Sequence, residues 1–109
     1  MIKIIISTNI RKYSIPQFKQ QGEKNMPTHA AIWGAIDTVA KNKNMSRSGL
    51  ARFSGLDATT FNLSKRFETS GKPHWPAMYT IVKVLTATGI SMTEFGRVCD
   101  EIAAREKNN

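Results

Sequence analysis

The sequence contains little cysteine, few acidic residues and no long apolar run. Cys99 is the only cysteine, so an internal disulfide is excluded, and this cysteine usage is typical of a reducing cytoplasm. No apolar run approaches the length of a membrane-spanning helix. The opening M-I-K-I-I-I-S is too short for the apolar core of a signal peptide. We therefore expect a cytoplasmic protein without a membrane partner.

The sequence also lacks the residue sets that catalysis or metal binding requires. It shows no paired carboxylates, no glycine-rich phosphate loop and no nucleophile beside a base, so acid–base and covalent chemistry have no candidate residues. Two histidines and one cysteine, widely spaced, predict no metal site. Cys99 is expected to be a buried structural thiol. These absences predict a protein that is not an enzyme and needs no cofactor.

Acidic residues are half as frequent as basic ones, and the imbalance is uneven along the chain. Sixteen Lys and Arg against eight Asp and Glu give a formal net charge of +8 in 109 residues. Residues 1–29 carry five basic residues and one acidic residue, and residues 41–72 carry seven basic and two acidic residues. Residues 73–109 carry four of each. A localised basic excess of this kind is typical of a protein that binds nucleic acid.

The basic stretch from residue 45 to residue 67 has the pattern of a helix-turn-helix. Ser46 is a suitable N-cap, Gly55 suits the left-handed residue that ends a helix, and Asp57 is a second N-cap. We predict a second helix from Asp57 to about Phe67, with Phe61 pointing inward. An ordinary helical hairpin would share this pattern. The outward side chains of the second helix are small, polar or cationic, as a DNA major groove requires: Ala58, Thr59, Asn62, Lys65 and Arg66.

Three further helices are predicted around this motif. Apolar residues recur at helical spacing from about residue 28 to 43, from Pro76 to Gly89, and from a capping box at 91–94 to about Ala103. The expected buried sides of the last two helices are Met78, Ile81, Val82 and Leu85, and Met92, Phe95, Val98, Cys99 and Ile102. The prediction is a compact, five-helix, all-α domain over residues 28–104, with a frayed tail over residues 105–109.

Residues 1–27 are predicted to form an irregular basic N-terminal arm. A β-branched cluster at residues 2–6 favours a strand, whereas Pro16 and Gly22 interrupt a stretch without helical period. Three interpretations stay open. The segment is a flexible arm, a strand that pairs with its copy on another subunit, or a stretch that precedes a natural start at Met26.

Residues 29–98 resemble the lambda-repressor-like, or XRE, family of five-helix DNA-binding domains. The resemblance rests on M-S at 45–46, L-A at 50–51, G-L at 55–56, Phe61, and I-V-K-V-L followed by G-I-S-M-T-E-F over 81–95. The run S-G-L-A-R-F-S-G-L-D-A-T-T-F-N-L-S-K-R with a later H-W-P is similar to the N-terminal domain of bacterial repressors that carry a self-cleaving serine-peptidase domain. This sequence contains no such peptidase domain, and Ser64 stands where many members have an apolar residue.

The resemblance implies that the helix over 57–67 enters the major groove while the start of the preceding helix touches the DNA backbone. Thr60 has the alternative of bonding its own backbone. In the following loop, His74 is a weaker phosphate donor, and Trp75 is expected to cover the core rather than stack on the DNA. The full predicted DNA-binding set is Arg47, Ser48, Asp57, Ala58, Thr59, Thr60, Asn62, Leu63, Lys65, Arg66, Lys72 and His74.

The sequence thus predicts a transcription regulator that binds double-stranded DNA sequence-specifically, and it leaves both activation and repression open. We expect a homodimer on a palindromic operator, with a dimer surface on either the last helix or the N-terminal arm. The alternative is a protein-interaction module with the same fold, such as an antitoxin or a polymerase-binding factor. The operator and any small-molecule effector cannot be read from these residues.

Overall fold

The computed structural model describes residues 27–108, with side chains described as far as residue 106. Within these residues the only β-pairing is one isolated bridge, between Phe67 and Pro73, so the predicted all-α class is confirmed there. Residues 27–108 contain four α-helices rather than the five predicted, and the predicted N-terminal arm, except for Pro27, lies outside the described residues. The helices are α1 His29–Asn42, α2 Arg47–Phe53, a 3₁₀ helix Leu63–Arg66, α3 Met78–Thr88 and α4 Met92–Asn108.

Local capping explains where the helices begin and end. At the start of α2, Ser46 Oγ accepts the backbone N–H of Gly49 at 3.0 Å, as predicted. Gly89 ends α3 with a φ of 75°, a conformation that glycine adopts without strain. Only half of the predicted capping box is present. Ser91 accepts the N–H of Glu94 at 3.0 Å, whereas the Glu94 carboxylate bonds Arg97.

The core lies where α1 packs against α4, and α2 contacts both α1 and α3. Phe61 is fully buried there, as the sequence predicted. Cys99 is also buried, and this burial, together with the negative charge of Asp100, raises the pKa of its thiol to about 11. The largest fully enclosed side chains are those of Phe61, Ile36, Leu50 and Val84.

The prediction of a helix from Asp57 to Phe67 is wrong. Residues 58–61 form a turn, the backbone of Asn62 is extended (φ −63°, ψ 149°), and only Leu63–Arg66 coil into a 3₁₀ helix. The cause is local competition for the backbone. Asp57 Oδ1 accepts the N–H of Thr59 at 2.8 Å, and the hydroxyl of Thr60 donates to the Asp57 carbonyl at 2.6 Å.

Two other expectations about the helices also differ from the structure. Met78, Val82 and Met92 were predicted to be buried but are exposed, because nothing packs against that side of their helices in the described residues. The last helix does not end near Ala103 but continues to Asn108. Its last turns are tied to the start of α1, where the Thr28 hydroxyl donates to Glu106 at 2.8 Å.

From residue 27 to residue 108, no helix combines the length and the apolarity needed to cross a membrane.

Candidate nucleic-acid interface

Residues 57–66 form a protrusion that buried side chains hold at two points. Phe61 is wholly enclosed and Arg66 is 8% exposed. The four residues between them, from Asn62 to Lys65, are all exposed. This 57–66 protrusion therefore presents a short run of side chains from a braced backbone, although it lacks the predicted α-helix.

Arg66 was predicted to face outward, but its side chain is buried and anchors the protrusion. Its Nη1 and Nη2 donate to the two carboxylate oxygens of Asp37 at 2.9 and 2.8 Å, and Nη2 also donates to the Phe61 carbonyl at 3.0 Å. The guanidinium carbon lies 4.7 Å from the centre of a Trp33 ring. Bidentate pairing and aromatic contact both suit the planar guanidinium. Arg66 is thereby removed from the set of groups that could reach DNA.

Asp37 joins the two halves of the motif, a role the sequence analysis missed. Arg47 Nε, at the start of α2, donates to the same carboxylate at 3.0 Å. Partial burial raises the pKa of Asp37, but the hydrogen bonds from Arg66 and Arg47 outweigh it and hold that pKa below its ordinary value. The same contact raises the pKa of Arg47. The one sequence feature that could have indicated this role is that Asp37 is the only acidic residue between positions 24 and 56.

Asp57, Thr59 and Lys65 are linked within the protrusion. Asp57 Oδ1 accepts both the hydroxyl (2.6 Å) and the N–H of Thr59, and these bonds lower the pKa of Asp57. Lys65 Nζ donates to the Thr59 hydroxyl at 3.3 Å. Thr60 bonds its own backbone, which was the alternative allowed for it, and like Ala58 it is half-buried. Of the predicted base-contacting side chains, Asn62, Leu63 and Lys65 are exposed, and Lys65 is held to Thr59 by this one hydrogen bond.

The loop after the protrusion is an ordered hairpin, which the sequence analysis missed. Phe67 pairs with Pro73, the N–H of Glu68 donates to the Lys72 carbonyl at 2.8 Å, and Gly71 has a φ of 93°. The glycine in T-S-G-K was the signal for such a turn. Lys72 is exposed near its tip and His74 is exposed at its base.

His29 connects this hairpin to α1 and was not among the predicted residues. Its Nε2 lies 2.8 Å from the Arg66 carbonyl and 3.1 Å from that of His74, so Nε2 must carry the hydrogen. The ring contacts those of Phe67 and Trp75, with centroid distances of 4.9 and 5.6 Å. Trp75 is 52% exposed and its ring contacts that of His29, and no contact with the core is seen among the described residues that would support its predicted role of covering it.

A cleft of about 220 Å³ separates the protrusion from the start of α3. It brings Thr60, Lys65 and His74 of the predicted set together beside Trp33. Arg47 and Ser48 lie instead at the start of α2, where the Ser48 hydroxyl is 3.3 Å from that of Ser46. Within the described part of the chain, no three His, Cys, Asp or Glu side chains are grouped as a metal site requires.

A comparison of this chain with protein-family models, curated proteins and solved structures found no match. The resemblance to the lambda-repressor-like family therefore stays a prediction that rests on the residues quoted for it.

Proposed function

We propose that this chain is a transcription regulator that binds double-stranded DNA sequence-specifically in the bacterial or phage cytoplasm, as a homodimer on a palindromic operator. The protrusion over 57–66, rather than an α-helix, would enter the major groove. The observation that carries the proposal is the run of four exposed residues braced by buried Phe61 and Arg66. A surface that is already ordered loses little conformational entropy on binding.

The chemistry of the exposed residues supports this assignment. Asn62 suits adenine, Leu63 suits the methyl group of thymine, and Lys65 suits guanine or a phosphate. Lys72 on the hairpin and Arg47 at the start of α2 would contact phosphates. Two of the nearby carboxylates are engaged, because Asp37 accepts from two arginines and Asp57 accepts from Thr59. Glu68 on the hairpin is exposed and has no cationic partner among the described residues. Between Phe61 and Arg66 the protrusion presents two polar side chains, one apolar side chain and one cation, Lys65.

The test is a fluorescence titration with duplexes selected from a random pool, repeated at rising salt concentration. Wild-type affinity should fall steeply, because each phosphate contact contributes a log–log slope of about −0.9. Lys65→Ala should weaken binding, and should flatten the slope by about one contact if the lysine meets a phosphate. Asn62→Ala should leave the slope unchanged and lose about 1–3 kcal/mol of base discrimination.

Arg105→Ala is the control, because it removes one exposed cation from α4 without touching the protrusion. It should keep both the affinity and the discrimination of the wild type. If the wild-type protein shows no salt-dependent binding to any duplex, the proposal fails.

A protein-interaction module is the second candidate, and the apolar residues around the protrusion favour it. Leu63, Phe67 and Trp75 are 60%, 53% and 52% exposed, and aromatic side chains are enriched at protein interfaces. This candidate predicts that Asn62→Ala and Lys65→Ala leave the biological output intact, whereas Leu63→Ser and Phe67→Ser abolish it. The DNA-binding proposal predicts that Asn62→Ala and Lys65→Ala are themselves harmful.

A further inference from the structure

We infer that Asp37 is a positioning residue for DNA recognition, which fixes Arg47 relative to the 57–66 protrusion and thereby determines how well the protein discriminates between duplexes. This inference rests on the proposed function and adds to it a residue that does not itself contact DNA. Asp37 lies within α1, and its side chain is 28% exposed. A carboxylate repels phosphate, so Asp37 acts through the side chains that it holds.

The carboxylate of Asp37 is held in place from the side of the protrusion. Arg66 donates to both of its oxygens, at 2.9 and 2.8 Å. The Arg66 side chain is only 10% exposed, and it also contacts the Phe61 carbonyl at 3.0 Å and the Trp33 ring. A planar bidentate pair allows little relative movement. The oxygens of Asp37 therefore have a fixed position relative to the protrusion.

Arg47 is held to this carboxylate by one side of its guanidinium. Nε donates to Oδ1 at 3.0 Å, and Nη2 lies 3.5 Å from Oδ2. The side chain is 45% exposed, and Nη1 has no hydrogen-bond partner among residues 27–106. Because the planar guanidinium carries five donors, Nη1 can donate to a phosphate while Nε stays on Asp37.

A fixed Arg47 contributes to discrimination, whereas a mobile one contributes only to affinity. A mobile arginine follows the nearest phosphate on any duplex, and such a contact carries no sequence information. A fixed guanidinium requires a phosphate at one distance from the base that Asn62 contacts. This distance varies with the width and the bend of the duplex, which depend on its sequence. The negative charge of Asp37 also reduces the attraction to all duplexes alike.

Fluorescence titration of the selected and a scrambled duplex tests this role in the wild type, Asp37→Asn, Arg47→Met and the double variant. Asp37→Asn should lower the ratio of the two affinities by roughly three- to tenfold, within the range of coupling between residues in contact. Its affinity for the scrambled duplex should rise, because a negative charge is lost. In the Arg47→Met background, Asp37→Asn should leave the ratio unchanged, since Asp37 acts through Arg47.

Asp100→Asn is the matched control, because it removes the same charge from an exposed position of α4. It should keep the wild-type ratio of affinities. Circular dichroism at the assay temperature verifies that each variant is folded. If Asp37 only supported the fold through Arg66, its replacement would lower the ratio equally with and without Arg47. That outcome overturns the inference, and so does an Asp37→Asn variant with the wild-type ratio.

Heteronuclear relaxation of the arginine Nε–H groups tests the fixed geometry in the wild type without DNA. The order parameter of Arg47 should be well above that of Arg52. Arg52 is exposed on the same helix and forms no ion pair within the described part of the chain. This comparison needs no variant, so it decides the question even if Asp37→Asn does not fold. An Arg47 side chain as mobile as that of Arg52 overturns the inference.

The failure of this role and the failure of the proposed function are distinguishable. If the wild type binds no duplex, the proposed function fails and the role of Asp37 falls with it. If the wild type discriminates between duplexes and Asp37→Asn discriminates equally well, the proposed function stands and the role of Asp37 alone is refuted.

Discussion

At the scale of single residues, one carboxylate decides the roles of two arginines. Asp37 accepts from Arg66 and from Arg47, which are 29 and 10 positions away in sequence. Helical spacing had predicted an outward-facing Arg66, but that spacing applies only if residues 57–67 are helical. Because the chain turns instead, the guanidinium reaches inward to α1, and the cationic side chain left on the protrusion is that of Lys65.

Replacing Arg66 tests this anchoring role. Arg66→Met should lower the free energy of unfolding by about 2–3 kcal/mol, because a partly buried carboxylate loses its bidentate partner and the Phe61 carbonyl loses a donor. Urea unfolding measures the change. Arg52→Met, at an exposed position of α2, should stay within about 0.5 kcal/mol of the wild type. An equally small effect of Arg66→Met would contradict the role of anchor.

The ion pairs of Asp37 also predict how stability depends on pH. The pKa of Asp37 is lower in the folded state than its ordinary value of 3.8. The stability it contributes is therefore fully present above that value and is lost as the pH falls through the folded pKa. In Asp37→Asn, the free energy of unfolding should fall less steeply below about pH 4 than in the wild type. Urea unfolding at a series of pH values measures this. The prediction is refuted if the free energy of unfolding of the variant falls as steeply as that of the wild type.

At the scale of elements, helix ends were easier to predict than the segment between two helices. Ser46 and Gly89 act within one turn of themselves, so their residue types suffice to place them. Asp57 was predicted to be the N-cap of a helix, and this is wrong, because a turn follows it instead. Its bonds to Thr59, together with the bond from the Thr60 hydroxyl to its carbonyl, stop the backbone from continuing as a helix. Capping and turn formation use the same side-chain chemistry, so the sequence pattern could not separate them.

Replacing glycine by alanine should change the stability of the fold in opposite directions at two positions. Gly89 has a φ of 75° and nothing within 4 Å of an added Cβ, so Gly89→Ala should destabilise the fold by about 1 kcal/mol through backbone strain alone. Gly96 lies within α4, also with nothing within 4 Å. Gly96→Ala should therefore stabilise the fold by roughly 0.5–1 kcal/mol. Thermal melting compares the two, and a shift of the same sign in both would contradict the assigned backbone conformations.

At the scale of the whole molecule, the basic charge divides between two parts of the chain. Residues 1–26 carry five basic residues and one acidic residue, and residues 27–109 contain the rest of the excess. Charge on a segment raises the affinity for any polyanion, whereas discrimination between sequences requires positioned side chains. The N-terminal segment is therefore expected to add affinity without selectivity.

Glutamine replacement of the five N-terminal cations tests this division. The variant replaces Lys3, Arg11, Lys12, Lys19 and Lys24. Its affinity for a scrambled duplex should fall, with a shallower salt slope, while the ratio of affinities for the selected and scrambled duplexes is retained. Fluorescence titration of both duplexes measures the ratio. A loss of selectivity, at unchanged circular dichroism, would place specific contacts in the N-terminal segment instead.

The sequence by itself determined the helical class, both ends of three helices within a few residues, the inward Phe61 and the buried Cys99. These features depend on residue type and on spacing within one or two turns. The tertiary structure alone decided that Arg66 is an anchor, that Asp37 joins the motif, and that Met78 and Val82 are exposed. Each of these outcomes depends on which distant segment packs against a side chain, and local periodicity contains no information about that.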